Sequence, residues 1–214
     1  MKNNSILILL LLAVLAGSAV AVEFSGDVTG VSTYVWRGVK QFDGVAMQGT
    51  ASLTSGPVTV GFWSSTMHGP MEVETDPFVE VGLPTGDIST AVGATLYSYD
   101  FFAKSEYNVY EVYGGLGYGP AGVTFFYTPE QENMDESVYW LQVSGGTELL
   151  GADVGATLGY GTYSSSTDDA VTTLTLSAGK SVSDNVAVSW NYSIGISDDD
   201  NLENIFFMTA GFGF

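Results

Sequence analysis

Cysteine is absent from this 214-residue chain, histidine occurs once, and the 5 basic residues are far outnumbered by 24 acidic ones. Without cysteine the fold cannot rest on disulfides, and zinc sites built from cysteine and histidine ligands are excluded. The formal net charge of −19 excludes nucleic-acid binding through a basic patch. Charged residues make up only 14% of the chain, whereas soluble domains usually carry about 25%. A soluble nucleic-acid-binding protein and a small disulfide-stapled domain are therefore both disfavoured.

Long hydrophobic runs are also missing beyond residue 22, where no apolar stretch approaches the roughly 20 residues of a transmembrane helix. The first residues read differently: Lys2 precedes an apolar run over residues 6–16, and Ala19-Val20-Ala21 has the small-x-small pattern of a cleavage site. We predict that residues 1–21 are a cleaved signal peptide and that residues 22–214 form one exported domain.

Alternation with period two is the dominant pattern after residue 22, in segments bounded by Gly, Pro, Ser, Asp or Asn. It is clearest where one face is small and polar, as over residues 186–194. A β-sandwich would show the same alternation. The pattern predicts twelve strands: 24–37, 47–54, 58–64, 78–83, 88–99, 107–118, 123–128, 138–147, 153–163, 171–180, 186–194 and 205–214.

The connections between these strands alternate between long loops and tight turns, the latter including Ser55-Gly56-Pro57 and Gly119-Pro120. An even strand count with sorted loop lengths is typical of up-and-down outer-membrane barrels, which have short periplasmic turns and long outer loops. Greek-key sandwiches have no reason to sort loops in this way. We therefore predict an all-β, transmembrane, up-and-down antiparallel barrel of about 12 strands.

The last strand carries apolar residues at alternate positions and ends on phenylalanine. This arrangement resembles the signal that the outer-membrane insertion machinery reads, and it predicts that machinery, and outer-membrane lipid and lipopolysaccharide, as partners. The residues of this C-terminal insertion signal are Phe206, Met208, Ala210, Phe212 and Phe214.

Residues 32–44 read STYVWRGVKQFDG and residues 46–49 read AMQG. This segment resembles the opening of the TorF-type porins, a proteobacterial outer-membrane family marked by Tyr-Val-aromatic-Arg-Gly and a following Asp-Gly turn. Weaker matches are VGFWSS at 60–65 and YEVYGGL at 110–116, and the likeness runs from about residue 22 to residue 139. The resemblance implies an outer-membrane barrel with porin activity.

Three charged residues occupy positions that alternation places inside the barrel: Arg37, Glu80 and Glu111. Charges in a lumen set the selectivity of a channel, so these are predicted pore-lining residues. The alternative is that they pair with one another and plug the lumen. Aromatic residues that could instead form girdles at the membrane interfaces are Tyr34, Trp36, Trp63, Tyr97, Trp140, Tyr160 and Trp190.

Most acidic residues fall in or beside the long loops. Three interpretations stay open for them: a solvated outer surface, a binding surface for divalent cations, and an adaptation to a saline habitat. The single histidine, His68, lies in a long loop close to Ser64 and Ser65. We predict a porin for small hydrophilic solutes or ions that prefers cations, without catalytic, cofactor or metal residues. Two alternatives stay open: a closed structural or surface-interaction barrel with acidic ion-binding loops, and a barrel enzyme that uses His68.

Overall fold

Twelve antiparallel strands close into a barrel in the computed structural model, which describes residues 21–67, 72–102, 108–132, 134, 136–162, 170–197, 199 and 202–214. Each barrel strand pairs with its neighbours in the chain, and β1 closes the ring against β14. The barrel strands are β1 Val22–Val31, β4 Ala46–Ser55, β5 Val58–Thr66, β6 Val73–Thr85, β7 Ile88–Tyr97, β8 Val109–Tyr118, β9 Ala121–Thr128, β10 Val138–Leu149, β11 Ala152–Gly161, β12 Val171–Ser181, β13 Val186–Gly195 and β14 Ile205–Gly213.

The predicted up-and-down topology and the number of barrel strands are confirmed. Tight turns follow β4, β6, β8, β10 and β12, and the longer connections lie at the opposite end of the barrel. A short 3₁₀ turn, Asp100–Phe102, occupies one of these longer connections. In the part of the chain that the structure describes, no helix is long and apolar enough to cross a membrane.

Side chains alternate between the outside and the inside of the barrel as the pleat requires. In β14, for example, Phe206, Met208, Phe212 and Phe214 are exposed on the outer surface, while Thr209 lies inside. Large apolar side chains cover the outer surface, among them Phe62, Leu116, Phe125 and Leu158. The interior positions carry mostly Gly, Ser, Thr, aromatic and acidic residues.

The first predicted strand, 24–37, is wrong beyond Val31. The chain leaves the wall there and forms a separate hairpin, made of β2 Tyr34–Trp36 and β3 Val39–Phe42, before it rejoins the wall as β4. Arg37 and Gly38 form the hairpin turn, and both have positive φ values, 52° and 83°. That geometry is the one a tight two-residue hairpin turn needs, and glycine favours it. Alternation continues through residues 34–36, which is why the pattern did not reveal the break.

The fourth predicted strand, 78–83, is too short, because β6 starts at Val73. Pro77 interrupts the pattern and argues against a strand, since proline cannot donate to a ladder. In the structure Pro77 lies opposite Phe62 within the β5–β6 pairing. The longer β6 moves Glu74 and Asp76 out of the predicted loop and into the barrel wall.

Candidate functional site in the barrel interior

The β2–β3 hairpin folds into the long-loop half of the barrel and packs against the inner wall. Val31, Tyr34 and Ala46 form a buried apolar cluster with Trp36, Phe42, Trp63 and Met67 around it. The Tyr34 and Trp63 rings lie 5.5 Å apart, which is a packing contact between the hairpin and β5. The hairpin is a separate two-stranded sheet with no backbone ladder to the barrel wall in the described structure. Side-chain contacts therefore hold it in place.

The tip of the hairpin reaches Glu111 on β8. Arg37 Nη2 donates to both carboxylate oxygens of Glu111 at 2.8 Å, and the two side chains are only 5% and 3% exposed. Glu111 also accepts hydrogen bonds from the Tyr97 hydroxyl at 2.8 Å and from Thr128 Oγ1 at 3.1 Å. The carboxylate therefore accepts from donors on two neighbouring strands, β7 and β9, and on the hairpin.

Aromatic rings surround the guanidinium of Arg37. Its Cζ lies 4.2 Å from the ring centroid of Trp36, 4.6 Å from that of Phe126 and 5.8 Å from that of Trp140. A cation within about 6 Å of an aromatic face is attracted by the negative face of the ring. Glu111, Phe126 and Trp140 belong to the barrel wall, and we call these three residues the cation pocket.

Gly38 brings the hairpin tip against the opposite wall. A Cβ atom at this position would lie 2.7 Å from Cβ of Thr173 on β12, so only glycine fits without displacement. Thr173 Oγ1 also donates to the carbonyl of Arg37 at 3.4 Å. The hairpin thus extends across the lumen, from β1 and β4 to β8 and β12.

A second contact anchors the base of the hairpin. The Tyr34 hydroxyl donates to Glu74 Oε2 at 3.0 Å, and Tyr99 also hydrogen bonds to Glu74. Burial, and then the charge of Glu74, raise the pKa of Tyr34 above its ordinary value of 10.0, so the phenol stays protonated and donates. Asp76, two residues further along β6, accepts from the backbone N–H of Ser98 at 3.2 Å. At the rim, Lys40 pairs with Glu203 at 2.9 Å and with Asp43 at 3.4 Å.

The three predicted pore-lining residues do not act as one group. Arg37 and Glu111 form the buried ion pair, although Arg37 lies in the hairpin turn and not in the wall. Glu80 points inward on β6, as predicted, and accepts a hydrogen bond from the Tyr113 hydroxyl at 2.9 Å. Whether any of the three lines a conducting pathway stays a prediction.

Sequence reasoning missed Glu74, Asp76 and most of the interior aromatic residues. Tyr34, Trp36, Trp63, Tyr97 and Trp140 were predicted as girdle residues but lie inside the barrel around the hairpin, and only Tyr160 and Trp190 are exposed on its outer surface. The period-two spacing of Glu74, Asp76 and Glu80 was the available signal for an acidic inner face.

The short-turn half of the lumen is more open. Cavities of about 240 and 460 Å³ border the inner faces of β1 and β12–β14, and their walls include Asp27, Thr29, Ser189 and Thr209. Ser189 and Thr209 hydrogen bond to each other at 2.8 Å across β13 and β14. Hydroxyl groups and the carboxylate of Asp27 thus line the short-turn end of the lumen, and the hairpin occupies part of the other half.

The remaining predicted residues divide into those inside and those outside the described part of the chain. Phe206, Met208, Ala210, Phe212 and Phe214 share the outer face of the C-terminal strand and its end. His68 and residues 1–20 lie outside the described residues, and so do several acidic loop positions. Ser64 Oγ donates to the Glu74 carbonyl at 2.6 Å. Among the residues described, no group of three or more acidic or histidine side chains has metal-binding geometry.

The fold is similar to that of several outer-membrane porins. The KdgM porin matches with a TM-score of 0.60 at 15% identity, over 89% of this chain and 98% of that one. A KdgM porin structure described as in complex with disordered oligogalacturonate matches with a TM-score of 0.56 at 15% identity, over 88% of this chain and 96% of that one. The outer membrane protein Omp33 of Acinetobacter baumannii matches with a TM-score of 0.56 at 9% identity, over 92% of this chain and 100% of that one. At these identities the likeness concerns the fold.

Residues 15–208 match a family described as "Bacterial protein of unknown function (Gcw_chp)", and the chain belongs to this family. No curated protein matches the sequence. The family description assigns no activity, so the function has to be argued from the barrel interior.

Proposed function

We propose that this protein is an outer-membrane porin for small hydrophilic solutes or ions, that it prefers cations, and that the TorF-type resemblance reflects this function. The apolar outer surface suits a lipid environment, and the closed ring pairs the backbone groups of every barrel strand. A polar interior with open space at one end suits the passage of hydrophilic solutes. The five alternating residues that end at Phe214 would then be read by the insertion machinery.

The observation that carries the proposal is the charge of the barrel interior. Arg37 is the one basic side chain that points inward among the described strands and hairpin, and Glu111 neutralises it. Carboxylates occupy many inward positions: Glu23, Asp27, Glu74, Asp76, Glu80, Glu111, Glu148 and Asp153. An excess of one charge inside low-dielectric walls attracts ions of the opposite sign.

The same charge argues against an anionic solute. Oligogalacturonate, named in the description of one KdgM structure, is a chain of sugar carboxylates. The lumen of this protein would repel such a polyanion, because its own surplus charge is negative. The shared barrel fold is therefore compatible with a different solute, since specificity depends on the lumen and not on the fold.

The test is single-channel conductance of the purified protein in a planar bilayer under a KCl gradient. We expect discrete steps in the current. The reversal potential should lie closer to the equilibrium potential of K⁺ than to that of Cl⁻. The double variant Asp27→Asn/Asp153→Asn should lower the cation preference. Asp87→Asn, in an exposed turn that borders neither cavity, is the control. A reversal potential on the chloride side would refute the cation preference.

The hairpin inside the lumen favours a second function, that of a closed barrel whose acidic loops bind divalent cations or partners at the lipopolysaccharide layer. The hairpin packs against the inner wall in the long-loop half, and the Arg37–Glu111 pair is almost fully buried. A folded protein that gives no conductance steps under any voltage would support this function and refute the porin.

A further inference from the structure

The cation pocket has the composition of a receptor for an organic cation. Glu111 offers one carboxylate, which neutral donors from Tyr97 and Thr128 hold in place, and Phe126 and Trp140 offer aromatic faces. Hydrated metal ions prefer several oxygen ligands. Guanidinium is weakly hydrated and binds both a carboxylate and a ring face, so this pocket suits it better than it suits K⁺ or Mg²⁺.

The geometry of the contact widens the class of ligand to primary amines. Both hydrogen bonds to Glu111 come from the same nitrogen, Nη2 of Arg37, which bridges the two oxygens at 2.8 Å. A single nitrogen with two or more hydrogens can make this contact, whether it belongs to a guanidinium or to an ammonium group. The slim aliphatic stem of Arg37 shows what kind of chain can follow the charged group.

The present occupant belongs to an element that can leave the lumen. The hairpin shares no ladder with the barrel wall, and an isolated two-stranded hairpin is only marginally stable. Besides packing, it is held by the Tyr34–Glu74 bond, the exposed Lys40 pairs, the weak contact with Thr173 and the Arg37–Glu111 pair itself. A solute that replaces Arg37 would therefore remove the strongest polar attachment of the hairpin tip.

We propose that Glu111, Phe126 and Trp140 form a binding site for small organic cations with a guanidinium or primary ammonium group, and that Arg37 occupies this site as a tethered internal ligand. The proposal rests on the proposed porin function and names its solute class. Binding of the solute displaces Arg37, and the hairpin then leaves the pathway that it narrows.

The binding test uses butylguanidinium as the probe and uncharged butylurea as its matched control, with the purified full-length protein in detergent and calorimetry as the readout. Arg37→Ala empties the pocket and should bind butylguanidinium at least about tenfold more tightly than the wild type, because the internal competitor is gone. Adding Glu111→Gln should weaken this binding at least about tenfold, whereas adding Glu136→Gln, at an exposed loop residue, should leave it unchanged. Equal binding of butylurea, or no loss with Glu111→Gln, would overturn the proposal.

The wild-type protein provides a second readout that does not depend on the folding of any variant. Butylguanidinium should speed hydrogen–deuterium exchange of the peptide over residues 34–42, and butylurea should not. No change in this peptide at saturating butylguanidinium would contradict displacement of the hairpin.

The two proposals can fail separately. A barrel that conducts potassium while Arg37→Ala binds no butylguanidinium keeps the porin function and loses the site. A barrel that binds butylguanidinium through Glu111 but carries no current keeps the site and loses the porin function.

Discussion

Replacing Glu111 by glutamine removes the charge that holds the hairpin tip. The substitution keeps the size of the side chain. The amide oxygen can accept from one of the Tyr97 and Thr128 hydroxyls, and the amide NH2 can donate to the other, so the wall of the barrel should be preserved. Arg37, only 5% exposed at its side chain, would be left without its counter-charge. The hairpin should then leave the lumen, because solvent is the only alternative environment for the guanidinium.

The magnitude follows from the burial of the pair. Removing one partner of a buried ion pair costs about 3–5 kcal/mol. The remaining attachments are smaller: the Tyr34 hydrogen bond to a carboxylate contributes about 1.5–3 kcal/mol, and the exposed Lys40 pairs contribute at most about 1 kcal/mol. The equilibrium between the hairpin inside the lumen and the hairpin outside it would then shift by about 3 kcal/mol towards the outside. Since roughly 1.4 kcal/mol corresponds to a factor of ten, this shift changes the equilibrium constant more than a hundredfold.

The assay is hydrogen–deuterium exchange of the peptide that covers residues 34–42, together with the open probability of single channels. Exchange of this peptide should accelerate at least about a hundredfold in Glu111→Gln, while the barrel strands keep their protection. Glu80→Gln is the matched control, because Glu80 also faces inward but is bonded to Tyr113 and not to the hairpin. Equal acceleration in every strand would mean that the pair stabilises the whole barrel, and the reasoning would be wrong.

Two further predictions test the packing and the base of the hairpin. Gly159→Ala places a methyl group against the buried indole of Trp140 and should lower the free energy of unfolding in urea by about 1–3 kcal/mol. Gly145→Ala should not lower it, because a Cβ atom there would lie 3.9 Å from its nearest neighbour, the carbonyl oxygen of Pro120. Because the pKa of Tyr34 is raised, its bond to Glu74 persists below its ordinary value of 10.0 and is lost as pH rises through the raised pKa. Open probability should therefore stay constant as pH rises through 10.0, where an unperturbed tyrosine would lose its proton. Tyr34→Phe should open the channel less than Glu111→Gln does.

The barrel could be predicted from the sequence because each of its determinants is local. Strand alternation, turn residues such as Gly119-Pro120 and the sorting of loop lengths all act within a few residues of one another. Even the closing strand, whose outward face ends at Phe214, is visible as alternation alone. These signals failed only where a local rule conflicted with tertiary structure, as at Pro77 within β6.

The hairpin could not be predicted because its position depends on a distant partner. Residues 34–36 alternate as a wall strand would, and only the pairing of Arg37 with Glu111, 74 positions away, shows that they turn inward. The sequence did indicate that Arg37 and Glu111 face the same space and that they could pair. It gave no reason to expect that the surrounding aromatic residues would collect inside instead of at the membrane interfaces.

The aromatic residues and the single inward cation have a common explanation. A lumen with many carboxylates would attract cations along its whole length, but it would not distinguish one from another. At Glu111 a buried carboxylate is combined with two wall aromatics, Phe126 and Trp140, beneath the tip of the hairpin. Discrimination between cations requires such a desolvated site, since in water the charges are screened and the ring faces contribute little. If organic cations bind as proposed, the hairpin contributes to selectivity as well as to the narrowing of the lumen, because it excludes water from the pocket until a suitable cation replaces Arg37.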